Sequence, residues 1–128
     1  MDRLIIEEEF VDDVVVLRVQ GIIDSGTAQF LEDKFEELVA SNTVRIIADL
    51  GNVTYISSAG WGIFVGEIKG IRQRNGDIKL AAMHPDVREV FELLEFSALL
   101  KPYATKEEAI TAFAASQNSR SNNVMDRR

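Results

Sequence analysis

Two adjacent serines, Ser57 and Ser58, precede Ala59 and Gly60 where an extended segment gives way to a helix-like pattern. Serine is a preferred residue at a helix start, because its side-chain oxygen accepts a hydrogen bond from an otherwise unpaired backbone N–H. Capping does not account for Gly60 and Gly62, since each glycine inside a helix costs roughly 1 kcal/mol relative to alanine. Glycines at these positions would let the backbone of another protein approach Ser58 closely. A helix cap and a docking surface therefore both remain open for this turn.

The other reactive side chains give little support to enzymatic or metal chemistry. The chain has a single histidine, His84, and no cysteine, so a zinc or hydrolytic site would need unusual ligands. Ser58 lacks the glycine two positions earlier that a nucleophile elbow requires, and the glycines do not form a phosphate-binding loop. Most carboxylates fall on the solvated faces of expected helices. We therefore expect a binding module, not an enzyme, with no catalytic residue, no metal and no cofactor.

Charge and hydropathy narrow the classes of partner and the expected location. The chain has 128 residues and a formal net charge of −7, which suits one acidic domain. Residues 116–128 hold three arginines against one aspartate, so residues 1–115 carry a formal charge of −9. Such a body would repel a phosphate backbone, and direct binding of nucleic acid is not expected. No apolar run is long enough for a signal peptide or membrane span, so we expect a soluble, cytoplasmic protein.

Apolar periodicity predicts an α/β fold, in which a mixed sheet of four to five strands packs with about four helices. The predicted strands are Leu4–Phe10, Val14–Val19, Val44–Leu50 followed by a short extended Val53–Ile56, Ile78–Met83 and Leu99–Tyr103. Helices are expected from Thr27, from the serine turn (Ser57–Gly60) to Asn75, from His84, and over Lys106–Ala115. Residues 1–115 form the predicted domain, and residues 116–128 are a polar tail that we expect to be disordered.

Several local features follow from the same patterns. Gly21 marks an expected loop after the second strand, and either Ser25 or Thr27 is expected to cap the first helix. In the second helix, helical spacing favours an inward Trp61 over a displayed one. The third helix is predicted to bury four apolar side chains, which are Val87, Val90, Phe91 and Leu94.

Function in such sheets usually lies in loops at the carboxyl ends of strands, here around Asp24, around the serine turn and around His84.

Two segments of the chain resemble the signature of STAS domains of the anti-sigma factor antagonist family. The first runs from Asp49 to Gly62, DLGNVTYISSAGWG, and the second from Gly21 to Ala28, GIIDSGTA. The similarity extends over about residues 4–114 and implies a STAS-like fold. The sequence departs from the family pattern in two places, because many members have aspartate in place of Ser57 and leucine in place of Trp61.

The resemblance implies a phosphorylation switch. Unphosphorylated members of the family bind an anti-sigma factor, usually also a serine kinase with a histidine-kinase-like ATPase fold, and so free a sigma factor. Phosphorylation of a serine ends the binding, and a serine phosphatase restores it. The matching serine here is Ser58, with its neighbour Ser57 as a minor rival acceptor. The implied partner-binding residues are Asp24, Ser57, Ala59, Gly60, Trp61 and Gly62.

Two other functions remain as alternatives. A STAS scaffold or sensor subunit would assemble with other domains in a signalling complex that does not act on a sigma factor. A carrier of a small ligand or nucleotide would use the same strand-end loops. The negative charge of residues 1–115 and the absence of a phosphate-binding sequence pattern argue against this function.

Overall fold

A five-stranded mixed sheet with helices on both faces forms the domain in the computed structural model, which describes residues 3–115. The elements in chain order are β1 (Ile5–Val11), β2 (Val14–Ile23), α1 (Ala28–Ala40), β3 (Arg45–Ile56), α2 (Ser58–Gln73), β4 (Asp77–Ala81), α3 (Pro85–Leu93), a 3-10 turn (Phe96–Ala98), β5 (Lys101–Tyr103) and α4 (residues 106–115). The predicted fold class, with five strands and four helices, is confirmed. The predicted tail at 116–128 lies outside the described residues.

The strands follow chain order across the sheet, β1-β2-β3-β4-β5. The hairpin pair β1 and β2 is antiparallel, whereas the other three pairs are parallel. Parallel neighbours bring their carboxyl ends to one edge of the sheet, and α2 and α3 begin at that edge. Within residues 3–115, no helix is long and apolar enough to cross a membrane.

Two apolar clusters hold the sheet between its helices. The larger one joins α1, α2 and α3 to one face, and the smaller joins α4 to the other through Ala109 and Phe113. The β-branched run at the start of β2 contributes to both clusters, with Val15 and Leu17 in the larger one and Val14 and Val16 in the smaller. This agrees with the pattern of a strand covered on both faces.

The strands β2 and β3 are longer than their sequences predict. A loop was expected at Gly21 and an interruption at Gly51 and Asn52, but both strands continue and pair there, with Gln20 opposite Asn52. Gly21 has a φ of +125°, a conformation open to glycine, and the register shifts directly after it. These bulges let the two strands continue together as far as Ile23 and Ile56.

The outward side of α3 also differs from the prediction. Val87 and Phe91 are buried as expected, but Val90 and Leu94 are 40% and 53% exposed. The apolar face of α3 is therefore wider than the surface that the other described elements cover. Leu93, which follows on the same side, is 77% exposed.

Candidate functional site

The turn between β3 and α2 is built by Ser57. This residue is the N-cap of α2, and its Oγ accepts a hydrogen bond from Gly60 N at 3.3 Å. Its carbonyl accepts the first helical bond, from Trp61 N at 2.9 Å. The expected helix cap is therefore confirmed for Ser57, whose hydroxyl is engaged within the domain.

Ser58 differs from its neighbour in both exposure and bonding. It is the first residue of α2 and is exposed, whereas Ser57 is half-buried. Among residues 3–115, its hydroxyl has no hydrogen-bond partner. The backbone N–H groups at a helix start have no partner within the helix, and the first turn of α2 contains no acidic side chain. The Ser58 hydroxyl thus lies in an electropositive and accessible position.

The segment around Asp24 lies beside this turn. The carbonyl of Ile23, at the end of β2, accepts a hydrogen bond from Ser57 N at 2.8 Å. The next residue, Asp24, uses its Oδ1 to accept hydrogen bonds from Gly26 N at 2.9 Å and Thr27 N at 3.2 Å. Asp24 therefore shapes the entry to α1, and the two segments singled out in the sequence meet at the carboxyl edge of the sheet.

Thr27 supports the same loop from inside. It occupies the N-cap position of α1, but its hydroxyl makes no cap hydrogen bond. The hydroxyl instead donates to Ile22 O at 2.7 Å and accepts from Asp24 N at 3.0 Å. Thr27 is almost completely buried, so this network fixes the backbone from which the Asp24 carboxylate projects.

Two of the implied partner-binding residues are not on the surface. Trp61 is only 2% exposed and packs against Phe64, Phe91 and Phe96 with ring centroids 5.1–5.9 Å apart. Gly60 is buried as well, and a Cβ built on it would lie 2.6 Å from a methyl carbon of Ile23. Both residues are therefore covered within the domain, and for Trp61 this confirms the inward orientation that helical spacing favours. They hold the start of α2 tightly against the sheet.

Ala59 and Gly62 do face solvent. Both are exposed, and a Cβ built on Gly62 would meet no atom within 4 Å. Of the two glycines expected to leave room for another backbone beside Ser58, Gly62 is therefore open to solvent and Gly60 is not.

His84 has a structural contact that the sequence did not indicate. Its Nε2 lies 2.7 Å from the carbonyl oxygen of Gly51 in β3. Because a carbonyl only accepts, Nε2 donates this hydrogen bond. The contact ties the loop before α3 to the middle of β3, in keeping with the expectation of a loop residue at a helix start.

A cluster of three carboxylates on α1 and α2 was not predicted. Oxygens of Glu32, Glu36 and Glu67 all lie within 4.8 Å of one another, close enough to hold a cation. Partial burial, followed by the nearby charges of Glu36 and then Glu32, raises the pKa of Glu67. The spacing of Glu32 and Glu36 indicates a shared helix face, but only the packing of α2 brings Glu67 to it. Exposed acidic clusters are common without a metal, and no other feature of this one indicates a ligand.

The fold and the turn together define a mixed α/β domain with an accessible serine at the carboxyl edge of its sheet. Residues 6–109 match the family model described as the STAS domain, and the chain belongs to this family.

Similar proteins are named as antagonists of anti-sigma factors. The chain is 34% identical over 103 residues to the putative anti-sigma factor antagonist BtrV of Bordetella bronchiseptica, covering 80% of this chain and 89% of that protein. It is 29% identical over 89 residues to the anti-sigma-B factor antagonist of Listeria monocytogenes, covering 70% and 78%. The crystal structure of an anti-sigma factor antagonist from Mycobacterium paratuberculosis superposes with a TM-score of 0.78 at 28% identity, covering 85% of this chain and 92% of that one.

Proposed function

We propose that this protein is an anti-sigma factor antagonist that is switched off by phosphorylation of Ser58. Its unphosphorylated form binds an anti-sigma factor that is also a serine kinase with a histidine-kinase-like ATPase fold, and thereby releases a sigma factor. A serine phosphatase reverses the modification. The observation that carries the proposal is the contrast between two neighbouring hydroxyls, since Ser58 is exposed and unbonded while Ser57 caps α2. The names of the similar proteins support the proposed partner.

The free protein is suited to carry a phosphate at Ser58. A phosphoryl group adds a charge of about −1.5 to −2 and three acceptor oxygens. The start of the 16-residue helix α2 favours such an anion, by about 0.3–1 kcal/mol at an exposed site. Because the Ser58 side chain is exposed and its hydroxyl makes no hydrogen bond within residues 3–115, we expect the phosphorylated domain to stay folded.

The complex is the state that phosphorylation opposes. In our proposal, the partner covers Ser58 together with Asp24, Ser57, Ala59 and Gly62, while Gly60 and Trp61 support this surface from below. A phosphate in that interface would be desolvated in the neighbourhood of the Asp24 carboxylate. A penalty of roughly 3 kcal/mol would weaken binding more than a hundredfold. The protein thus acts by binding and release, without a catalytic group or cofactor of its own.

Binding of the cognate kinase to substituted proteins tests the proposal. Ser58→Ala should bind the kinase as the unmodified protein does and accept no phosphate, whereas Ser58→Asp should bind at least tenfold more weakly. Ser57→Ala serves as the matched control and should still be phosphorylated. Equal binding by Ser58→Ala and Ser58→Asp would contradict the switch. A large homotypic particle in size-exclusion chromatography would favour the alternative, a STAS scaffold or sensor subunit.

A further inference from the structure

The outward side of α3 carries an apolar strip that nothing in residues 3–115 covers. Val90, Leu93 and Leu94 are spaced i, i+3 and i+4, so they lie on adjoining positions of one helix face. Their exposed fractions are 40%, 77% and 53%. Single exposed apolar residues are ordinary, but a contiguous strip beside a cavity is typical of an interaction surface.

A cavity of about 220 Å³ adjoins this strip. It lies between the end of β3 and α3, and its wall includes Tyr55, Ile56, Trp61, Val87 and Val90. Val90 belongs to both the strip and the cavity, and Tyr55 beside it is 54% exposed. Small-molecule sites usually measure about 300–1,000 Å³, so this cavity is better matched to a single large side chain of another protein. We call the cavity and the strip together the α3 groove.

Acidic residues accompany the α3 groove. Asp86 lies in the cavity wall, Glu89 directly precedes Val90 of the strip, and Glu95 directly follows Leu94. Among the described residues, Arg88 pairs with Glu92 at 2.7 Å, and no ion pair involves Asp86, Glu89 or Glu95. A second copy of this acidic chain would bring like charges together, whereas a basic partner would complement these carboxylates.

We propose that the α3 groove binds a basic amphipathic helix of the partner protein, with one large apolar side chain inserted in the cavity. This inference rests on the proposed function, because the groove adjoins the serine turn: Ile56 in its wall directly precedes Ser57. The apolar strip takes the helix face at i, i+3 and i+4 spacing, and lysines or arginines beside that face meet Asp86, Glu89 and Glu95. The partner therefore has two points of attachment, one that phosphorylation opposes and one that it does not touch.

A synthetic peptide tests the groove separately from the kinase. The probe is a helical peptide of about 18 residues with leucines at i, i+3, i+4 and i+7 and lysines elsewhere; a scrambled peptide of the same composition is the control. Binding to the full chain is followed by amide NMR shifts and by the fluorescence of Trp61, the only tryptophan. We expect saturable shifts centred on Tyr55, Val90 and Leu93, and at least tenfold weaker binding of the scrambled peptide.

Substitutions then locate the contact. Leu93→Asp and Val90→Asp should each weaken peptide binding at least tenfold, whereas Phe30→Asp, which replaces a 47% exposed aromatic on α1, should leave it unchanged. Ser58→Asp should retain peptide binding although it loses the kinase. The kinase could bind Ser58→Asp more weakly than Ser58→Ala and yet bind Leu93→Asp as tightly as the unmodified protein. This result would overturn the proposed binding to the α3 groove but not the proposed phosphorylation switch at Ser58.

Three other results would overturn the groove. Equal binding of the ordered and scrambled peptides would reduce the interaction to charge alone. A concentration-dependent dimer that Leu93→Asp abolishes would make a second copy the occupant. NMR contacts between Leu93 and residues 116–128 would make the chain's own tail the occupant.

Discussion

Gly60 is the residue whose replacement most sharply tests how α2 is seated on the sheet. A methyl group added there would lie 2.6 Å from Ile23 Cγ2 and 2.9 Å from Ile56 Cγ2. It would also lie 3.0 Å from Ile23 O, the carbonyl that accepts the hydrogen bond from Ser57 N. Gly60→Ala must therefore move α2 relative to the ends of β2 and β3.

The size of the effect follows from two opposing contributions. Overpacking a tightly packed site costs about 1–3 kcal/mol. Alanine regains up to about 1 kcal/mol over glycine in a helix, so we expect a net loss of about 1–2 kcal/mol for Gly60→Ala. Gly62→Ala is the matched control, because its added methyl group meets open space. This variant should gain about 0.5–1 kcal/mol.

Urea unfolding followed by Trp61 fluorescence and circular dichroism measures both variants. The two free energies of unfolding should differ by about 1.5–3 kcal/mol, with Gly60→Ala the less stable and the dependence on urea concentration unchanged. Gly60→Ala should also weaken binding of the kinase, because the Ser57 turn shifts. Equal stability of Gly60→Ala and Gly62→Ala would refute the tight packing of α2 at Gly60.

Three further substitutions test the local contacts. Ser57→Ala removes the α2 cap and should lower the free energy of unfolding by about 1 kcal/mol. Ser58→Ala should change it by less than about 0.5 kcal/mol in the same urea assay. Equal losses for the two variants would contradict the assignment of the cap to Ser57. Asp24→Ala should lower Tm, while Asp24→Asn retains the Oδ1 acceptor and most of the stability; similar Tm values for both variants would show that Oδ1 is unimportant. Because the pKa of Glu67 is raised in the folded protein, its charged form lowers the free energy of unfolding at pH values above that pKa. This loss of stability disappears at pH values below the ordinary glutamate pKa of about 4.5. Glu67→Gln should therefore stabilise the protein by roughly 0.5 kcal/mol at pH 7, and this gain should vanish in acid; a gain independent of pH would contradict the carboxylate cluster.

The elements with strong apolar periodicity could be predicted from the sequence alone. α2 buries Trp61 as its spacing indicates, because helix periodicity is a local property. The continuation of β2 and β3 past their glycines could not be predicted in this way. Each strand is held there by pairing with the other, and that pairing is not visible in either segment by itself.

Part of the candidate site could be predicted, because some of its features are local in the sequence and others depend on contacts between elements. Ser57 and Ser58 were found because a helix start has a local signature, and the Ser57 cap is confirmed. The burial of Trp61 agrees with its helical spacing, but the close approach of Gly60 to Ile23 and Ile56 involves other elements, which spacing along one helix does not reveal. Helical spacing therefore indicated the inward Trp61, whereas the partner contact implied by the resemblance for Gly60 and Trp61 falls on two buried residues. Ser58 as the phosphoacceptor stays a prediction.

The affinity of the phosphorylated protein for its kinase tests the central claim most directly. The protein is phosphorylated with the cognate kinase and ATP, the modified residue is identified by peptide mapping, and binding of the purified phosphoprotein is measured by calorimetry. Our account predicts a single phosphate on Ser58, an unchanged circular dichroism spectrum and binding weakened more than a hundredfold, the equivalent of roughly 3 kcal/mol. A phosphate on another residue, or a Ser58 phosphoprotein that binds the kinase as tightly as the unmodified protein, would contradict it.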